Sequence, residues 1–258
     1  MLLFKNFMWG CSLLMMAYFS YIEKAIDENN EIQLDEMVKK VERRSLNISY
    51  KEINNKILID APILTQFPEL DRGCEITSLA MLLQFAGIKV DKLTLAEEIP
   101  KVPFSKDGHY GDPNEGFVGD IYSFSQPGYA VYHKPIEDLA EKYLPGKVLN
   151  LSGSNFNEIK NQLLKGKPVW VIVTSTFNKL PDSAWETWKT ANGDIRITMR
   201  EHSVLLTGFD EDFVYFNDPF KTEKNSKIAI DKFIAGWEQF GKQAISIKDS
   251  NLLEIVER

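Results

Sequence analysis

Cysteine and histidine are scarce: two and three residues respectively in 258. Two cysteines cannot form a disulfide framework, and Cys11 lies in an apolar N-terminal stretch. His109 and His133 stand far from any cysteine, so no metal-ligand spacing exists and both read as surface histidines. There is no glycine-rich phosphate loop, no internal repeat and no basic stripe with interleaved aromatics. The net charge of −7 argues against nucleic acid as the main partner. No cofactor and no metal are expected. What is present is an ordinary globular composition, 44% hydrophobic and 26% charged, sufficient for one large domain and a tail.

The chain divides into four parts. Residues 1–22 read as a signal peptide or signal anchor. Lys5 precedes an uncharged run from Phe7 to Ile22, a little short for a membrane span. No small-residue cleavage site closes that run, which favours a retained anchor. The protein is then extracellular or membrane-anchored and faces outside the cell. Residues 23–55 are charged, asparagine-rich and free of glycine and proline, as suits a helical or disordered stalk. Residues 56–250 form the domain proper, and 251–258 a tail.

Cys74 is the one cysteine beyond the apolar N-terminus. It opens a stretch in which Ile76, Leu79, Ala80 and Leu83 recur on one helical face, with Gly87 as the stop. Gly73 lets the chain turn sharply into that helix. In the first turn, beside unpaired N–H groups and the positive end of the dipole, a thiolate is favoured and its pKa falls. Cys74 is thereby a candidate nucleophile.

His202 opens a β-rich run to Phe209, and a second run follows from Phe213 to Pro219 across an acidic turn. Paired as a hairpin, His202 falls opposite position 219 or 220, with Asp218 within cross-strand reach. Faces alternate along a strand, so an odd loop puts Asp218 on the face of His202, whereas a two-residue loop favours Asn217. The odd loop and Asp218 are the preferred reading. His202 would then take the thiol proton, and Asp218 would fix its tautomer. Cysteine, histidine and aspartate in this chain order match a papain-like thiol enzyme. Gln66, eight residues before the cysteine, could donate to an oxyanion together with the Cys74 N–H.

Taken together, Gln66, Gly73-Cys74-Glu75-Ile76-Thr77-Ser78, His202-Ser203-Val204-Leu205-Leu206-Thr207-Gly208 and Asn217-Asp218-Pro219 resemble the bacteriocin-processing cysteine peptidases, in their stand-alone rather than exporter-fused branch. Asp112-Pro113-Asn114-Glu115-Gly116 and Gly166-Lys167-Pro168-Val169-Trp170 also fit, and the likeness spans roughly residues 57 to 248. The resemblance implies a papain-like fold, with Cys74 as nucleophile, His202 as general base, Asp218 as orienter and Gln66 as oxyanion donor. Exporter peptidases commonly carry aspartate-cysteine-glycine at the nucleophile, whereas this chain has Gly73-Cys74-Glu75. Their double-glycine leader specificity is therefore not carried over.

Elsewhere, Pro135–Tyr143 reads as a helix, Ser154 caps another through Leu164, and Asp231 caps a last one. The apolar run 168–174 reads as a central strand, and 243–247 as a strand after the last helix. The class is α+β, with an N-terminal nucleophile helix packed on an antiparallel sheet. The long loop from Val102 to Tyr129, with Phe117, Tyr122, Phe124 and Tyr129, could wall a substrate groove opposite Trp185 and Trp188. The leading function is a cysteine peptidase acting on a peptide or protein substrate through an acyl-enzyme. An amine acceptor would make the same triad a transferase. A non-catalytic surface binding module is the reading from another class.

Overall fold

A computed structural model describes residues 50–53 and 56–248. The expected anchor and most of the expected stalk lie outside the described residues, as does the tail.

The helix that begins at Cys74 is apolar on nearly every side. In α1 (Cys74–Phe85) every residue from Cys74 to Leu83 is buried. A helix hydrophobic all round belongs in a core rather than on a surface. Gly73 precedes it without a side-chain cap. A Cβ at Gly73 would lie 2.4 Å from the Leu70 Cβ, so close packing demands glycine there. Gly87, at φ 86°, ends the helix. The next helix, α2 (Lys92–Glu98), is capped by Asp91, whose carboxylate accepts from the Thr94 N–H at 2.8 Å; the sequence reading did not identify it. Three more follow: α3 (His133–Tyr143), α4 (Phe156–Leu164) and α5 (Ile230–Glu238).

The principal sheet has eight strands. They are β1 (Tyr50–Ile53), β2 (Lys56–Ile59), β3 (Val148–Asn150), β4 (Val169–Thr174), β5 (Glu201–Phe209), β6 (Phe213–Asn217), β7 (Ser226–Ala229) and β8 (Ala244–Ile247). The order is β1-β2-β5-β4-β8-β3, with β6 on β5 and β7 on β6, and all pairings are antiparallel. β4 is buried at all six positions, as befits a central strand. The sheet takes in Tyr50–Ile53, which pairs with Lys56–Ile59.

Two helix starts differ from the sequence reading. Asn155, not Ser154, caps α4, and its side chain accepts from the Glu158 N–H at 3.2 Å. β7 runs directly into α5, so Asp231 sits in the first turn and the Asp212 carbonyl satisfies the Ile230 N–H at 2.9 Å. The sequence cannot show that a distant carbonyl does the cap's work.

The β5–β6 hairpin sets the register of the site. Near the turn, Gly208 faces Tyr215 and Phe209 faces Val214. The Asp210 N–H also bonds the Phe213 carbonyl at 2.9 Å, leaving Glu211 and Asp212 as the tip. The tip is thus even. A bulge at Thr207 then shifts the pairing to Leu206 with Phe216 and Leu205 with Asn217. Continued, that register sets Asp218 across from Val204, on the face of His202. The odd offset arises from the bulge and not from the loop. Gly208 completes the bulge: a Cβ there would lie 1.9 Å from the Ile57 carbonyl oxygen on β2.

Candidate active site

α1 presents Cys74 at its first position, against the start of β5. Ser78, one turn on, donates from Oγ to the Ser203 carbonyl at 3.2 Å, and the Trp170 indole of β4 donates to the Glu75 carbonyl at 2.9 Å. These bonds fix the helix start on the sheet.

On β5, His202 is 1% exposed and Asp218 2%. His202 Nε2 donates to Asp218 Oδ1 at 2.9 Å. A carboxylate only accepts, so Nε2 carries a hydrogen; in the neutral ring Nδ1 then carries the lone pair. That Nδ1 is buried and has no hydrogen-bond partner. Phe220 stacks on the imidazole at 4.3 Å between centroids, and Phe177 meets its edge at 5.8 Å. Burial works to raise the Asp218 carboxyl, but the hydrogen bond and charge of His202 outweigh it and hold the pKa below 3.8. The Phe220 N–H adds a bond to the same oxygen at 3.0 Å. Asn217 does other work: its amide donates to the Pro62 and Ala61 carbonyls at 2.8 and 3.3 Å, and its oxygen accepts from the Asn225 N–H. It ties the strand end to the segment that leads into Gln66.

The thiol faces carboxyl groups. Cys74 Sγ lies 3.2 Å from Glu75 Oε2 and 3.8 Å from Glu201 Oε2. Glu75 Oε1 accepts from the Val131 N–H at 2.8 Å, whereas Glu201 Oε1 is buried without a partner. Burial first, then the charges of Glu75 and Glu201, push the thiol well above its ordinary value, with only the Ser203 backbone acting the other way. The sequence reading expected the opposite direction from the helix terminus. A helix end contributes a fraction of a charge, and two adjacent carboxyls with full desolvation outweigh it. Burial likewise raises Glu75 from 4.5 to about 7, and burial together with the Glu75 charge raises Glu201. Their oxygens lie within 4.8 Å of one another, so ionising one carboxyl disfavours ionising the other.

The Gln66 side chain is committed locally. Its Nε2 donates to the Leu70 and Asp71 carbonyls at 3.0 and 2.9 Å, and its Oε1 is unpartnered. It braces the turn before Cys74, and donation to an oxyanion requires release of one of those carbonyls. Its own N–H bonds the Pro219 carbonyl at 2.9 Å, which joins the two sides of the site.

A cavity of about 290 Å³ opens over Cys74, lined by Gln66, Tyr129, Met199, Glu201 and Phe220 among others. Of the loop aromatics, Tyr129 and Phe124 reach it, while Phe117 is fully buried core. Arg72 and Asp71 pin the loop: Arg72 donates to the Ser123 carbonyl at 2.6 Å, and Asp71 accepts from the Phe124 N–H at 2.8 Å. Trp188 is not a groove wall. It is 2% exposed and stacks on Tyr110 at 4.3 Å. Trp185 lines a neighbouring hollow that shares Met199. His133 is held by the Gln243 side chain, and His109 is exposed.

Among the described residues, Cys74, Glu75 and Glu201 alone offer ligand atoms grouped for a metal, within 4.8 Å of one another. An ion there would occupy the thiol sulfur. Glu201 escaped the sequence reading. Its one signal was its place beside His202, matching Glu75 beside Cys74.

Comparison with known proteins identifies the family and the fold. A chain from Bacillus subtilis (strain 168), the uncharacterized protein YvpB, is 48% identical over 182 residues, covering 70% of this chain and 71% of its own length. A crystal structure of a candidate C39-like peptidase from Bacillus anthracis is 49% identical, with a TM-score of 0.75, over 77% of this chain and all of that one. Its likeness and the layout above make the fold papain-like, a buried helix packed on an antiparallel sheet. The profile of the Peptidase_C39 like family matches residues 58–245, and the chain belongs to that family.

Proposed function

We propose that the protein is a cysteine peptidase acting outside the cell on peptide or protein substrates, with Cys74 as nucleophile, His202 as general base and Asp218 as its orienter. The observation that carries this reading is the buried His202–Asp218 pair at 2.9 Å, whose Nδ1 is left with a free lone pair. A base so arranged can take a thiol proton, since its tautomer is fixed by the carboxylate. Cys74 Sγ would lose its proton to Nδ1 and attack the scissile carbonyl. The Cys74 N–H, at the helix start, supports the oxyanion. The imidazolium then gives its proton to the leaving amine, and water hydrolyses the thioester.

A second reading, a binding module on a peptidase scaffold, draws on one observation: the thiol hydrogen-bonds carboxyl oxygens rather than His202. Incubation of the full chain with a peptide library, read by mass spectrometry, separates the two. The peptidase reading expects cleavage that is abolished in Cys74→Ala and in His202→Ala. Absence of cleavage and of any acyl-enzyme, with peptide still retained, would overturn it in favour of the binding module.

A further inference from the structure

Glu75 is buried and Glu201 half-buried; the mechanism above uses neither carboxyl, although both lie against the Cys74 sulfur. Glu201 precedes His202 on β5. Glu201 meets the thiol, while His202 lies with Phe177, Phe220 and Asp218, and Phe220 lines the same cavity as Cys74 and Glu201. Two unfilled valences accompany this arrangement. His202 Nδ1, in a residue 1% exposed, has no partner, and neither has Glu201 Oε1. A missing donor at Nδ1 and a thiol engaged elsewhere are complementary: one S–H hydrogen cannot serve both.

We propose that Glu201, with Glu75, is a positioning residue for Cys74, holding the thiol protonated on carboxyl oxygen so that it pairs with His202 only after Sγ leaves Glu201. The inference rests on the Cys74–His202 reading for its consequence in catalysis, but not for its own test. In the resting arrangement the sulfur keeps its proton and shares it with a carboxyl oxygen. On release, the S–H bond breaks, the proton forms a new bond to His202 Nδ1, and the electron pair stays on sulfur as the thiolate. No oxidant or further reactant is needed. A substrate filling the cavity lined by Cys74, Glu201 and Met199 is the natural agent of release, since the groups it would displace face that cavity.

The charged and titratable groups around Glu201 come from several elements. Glu75 and Cys74 are on α1, and Asp71 and Arg72 immediately precede it. His202 adjoins on β5. Tyr129 and Tyr132, ahead of α3, have hydroxyls 3.2 Å apart, raised by burial and in part by the Glu201 charge. Arg72, the one cation of this set besides a protonated His202, is bound to backbone carbonyls of the loop and stacked over Phe124. Among these groups, Glu75 and Glu201 are therefore the charges that bear most directly on the thiol.

The test is the pH dependence of Cys74 alkylation by iodoacetamide in the full chain, because it needs no substrate. Cys11 is replaced by serine throughout so that one thiol reports. Glu201→Gln removes the carboxyl whose Oε1 is unpartnered and should shift the alkylation midpoint down by about one unit, raising the rate at pH 7 about tenfold. Glu201→Asp, which keeps the charge, should stay near wild type. Glu75→Gln provides an independent arm and should shift the midpoint in the same direction. The shift on Glu201→Gln should persist in the His202→Ala background, where no Cys–His pair can exist. Unchanged profiles for both Glu201→Gln and Glu75→Gln, or a midpoint moved upward, would overturn the proposal. In the Glu201→Gln background, loss of the thiolate on His202→Ala tests the Cys–His pair alone, so the two readings can fail separately.

Discussion

His202 Nε2 stands 2.9 Å from Asp218 Oδ1, and the other nitrogen of the same ring meets nothing. The pair is buried, and the hydrogen bond fixes the orientation of the ring and the tautomer of its neutral form. Asp218→Asn replaces the acceptor with a group that can donate, which disfavours the tautomer with a free Nδ1. Peptidase kcat/KM should fall on the order of 10²-fold or more, with the fold retained by circular dichroism. An unchanged kcat/KM would remove Asp218 from the mechanism.

Asn217 offers the contrast. It holds the Pro62 and Ala61 carbonyls and the Asn225 N–H, and it is fully buried. Asn217→Ala leaves those groups unpaired and should cost about 2 kcal/mol in urea unfolding. The pH profile of any activity should keep its shape, because the imidazole keeps Asp218.

Gly208 is the tightest point of the bulged strand. Gly208→Ala drives a Cβ to within 1.9 Å of the Ile57 oxygen unless β2 moves. A loss of about 3 kcal/mol or more is expected, measured by denaturant midpoint. Since the same bulge carries the register that aligns Asp218, activity should fall further than the folded fraction does.

Stability should respond to pH from two sides. Glu75 is raised by burial from its ordinary 4.5 to about 7. The stability linked to its protonation is complete below 4.5 and is lost as pH rises through 7, roughly 3 kcal/mol in all. Asp218 is lowered, so its contribution is present above its ordinary 3.8 and is lost as pH falls through the folded value. Thermal midpoints should therefore decline between pH 5 and 8, and Glu75→Gln should flatten that decline. A flat wild-type curve over this interval would contradict the burial of an ionising carboxyl.

The sequence by itself determined the elements that carry the chemistry. The apolar face from Ile76 to Leu83 fixes a helix that starts at Cys74, and the two β-rich runs around Asp210-Glu211-Asp212 fix a hairpin with His202 on it. Both follow from local periodicity, whereas the sheet as a whole does not: β2 pairs β5, and β8 pairs β4 and β3, from far along the chain. The tertiary structure alone decided what those residues meet. The odd offset that selects Asp218 over Asn217 comes from a bulge at Thr207, which exists because β2 passes close to Gly208. Gln66 spends its donors on Leu70 and Asp71, a commitment made by a turn and invisible in spacing. The thiol's environment is the clearest case. A helix start predicts an acidic cysteine, because only the local dipole is legible in a sequence. The direction reverses because folding buries the thiol and sets Glu75 and, from far along the chain, Glu201 against it, so desolvation and full neighbouring charges outweigh a partial one.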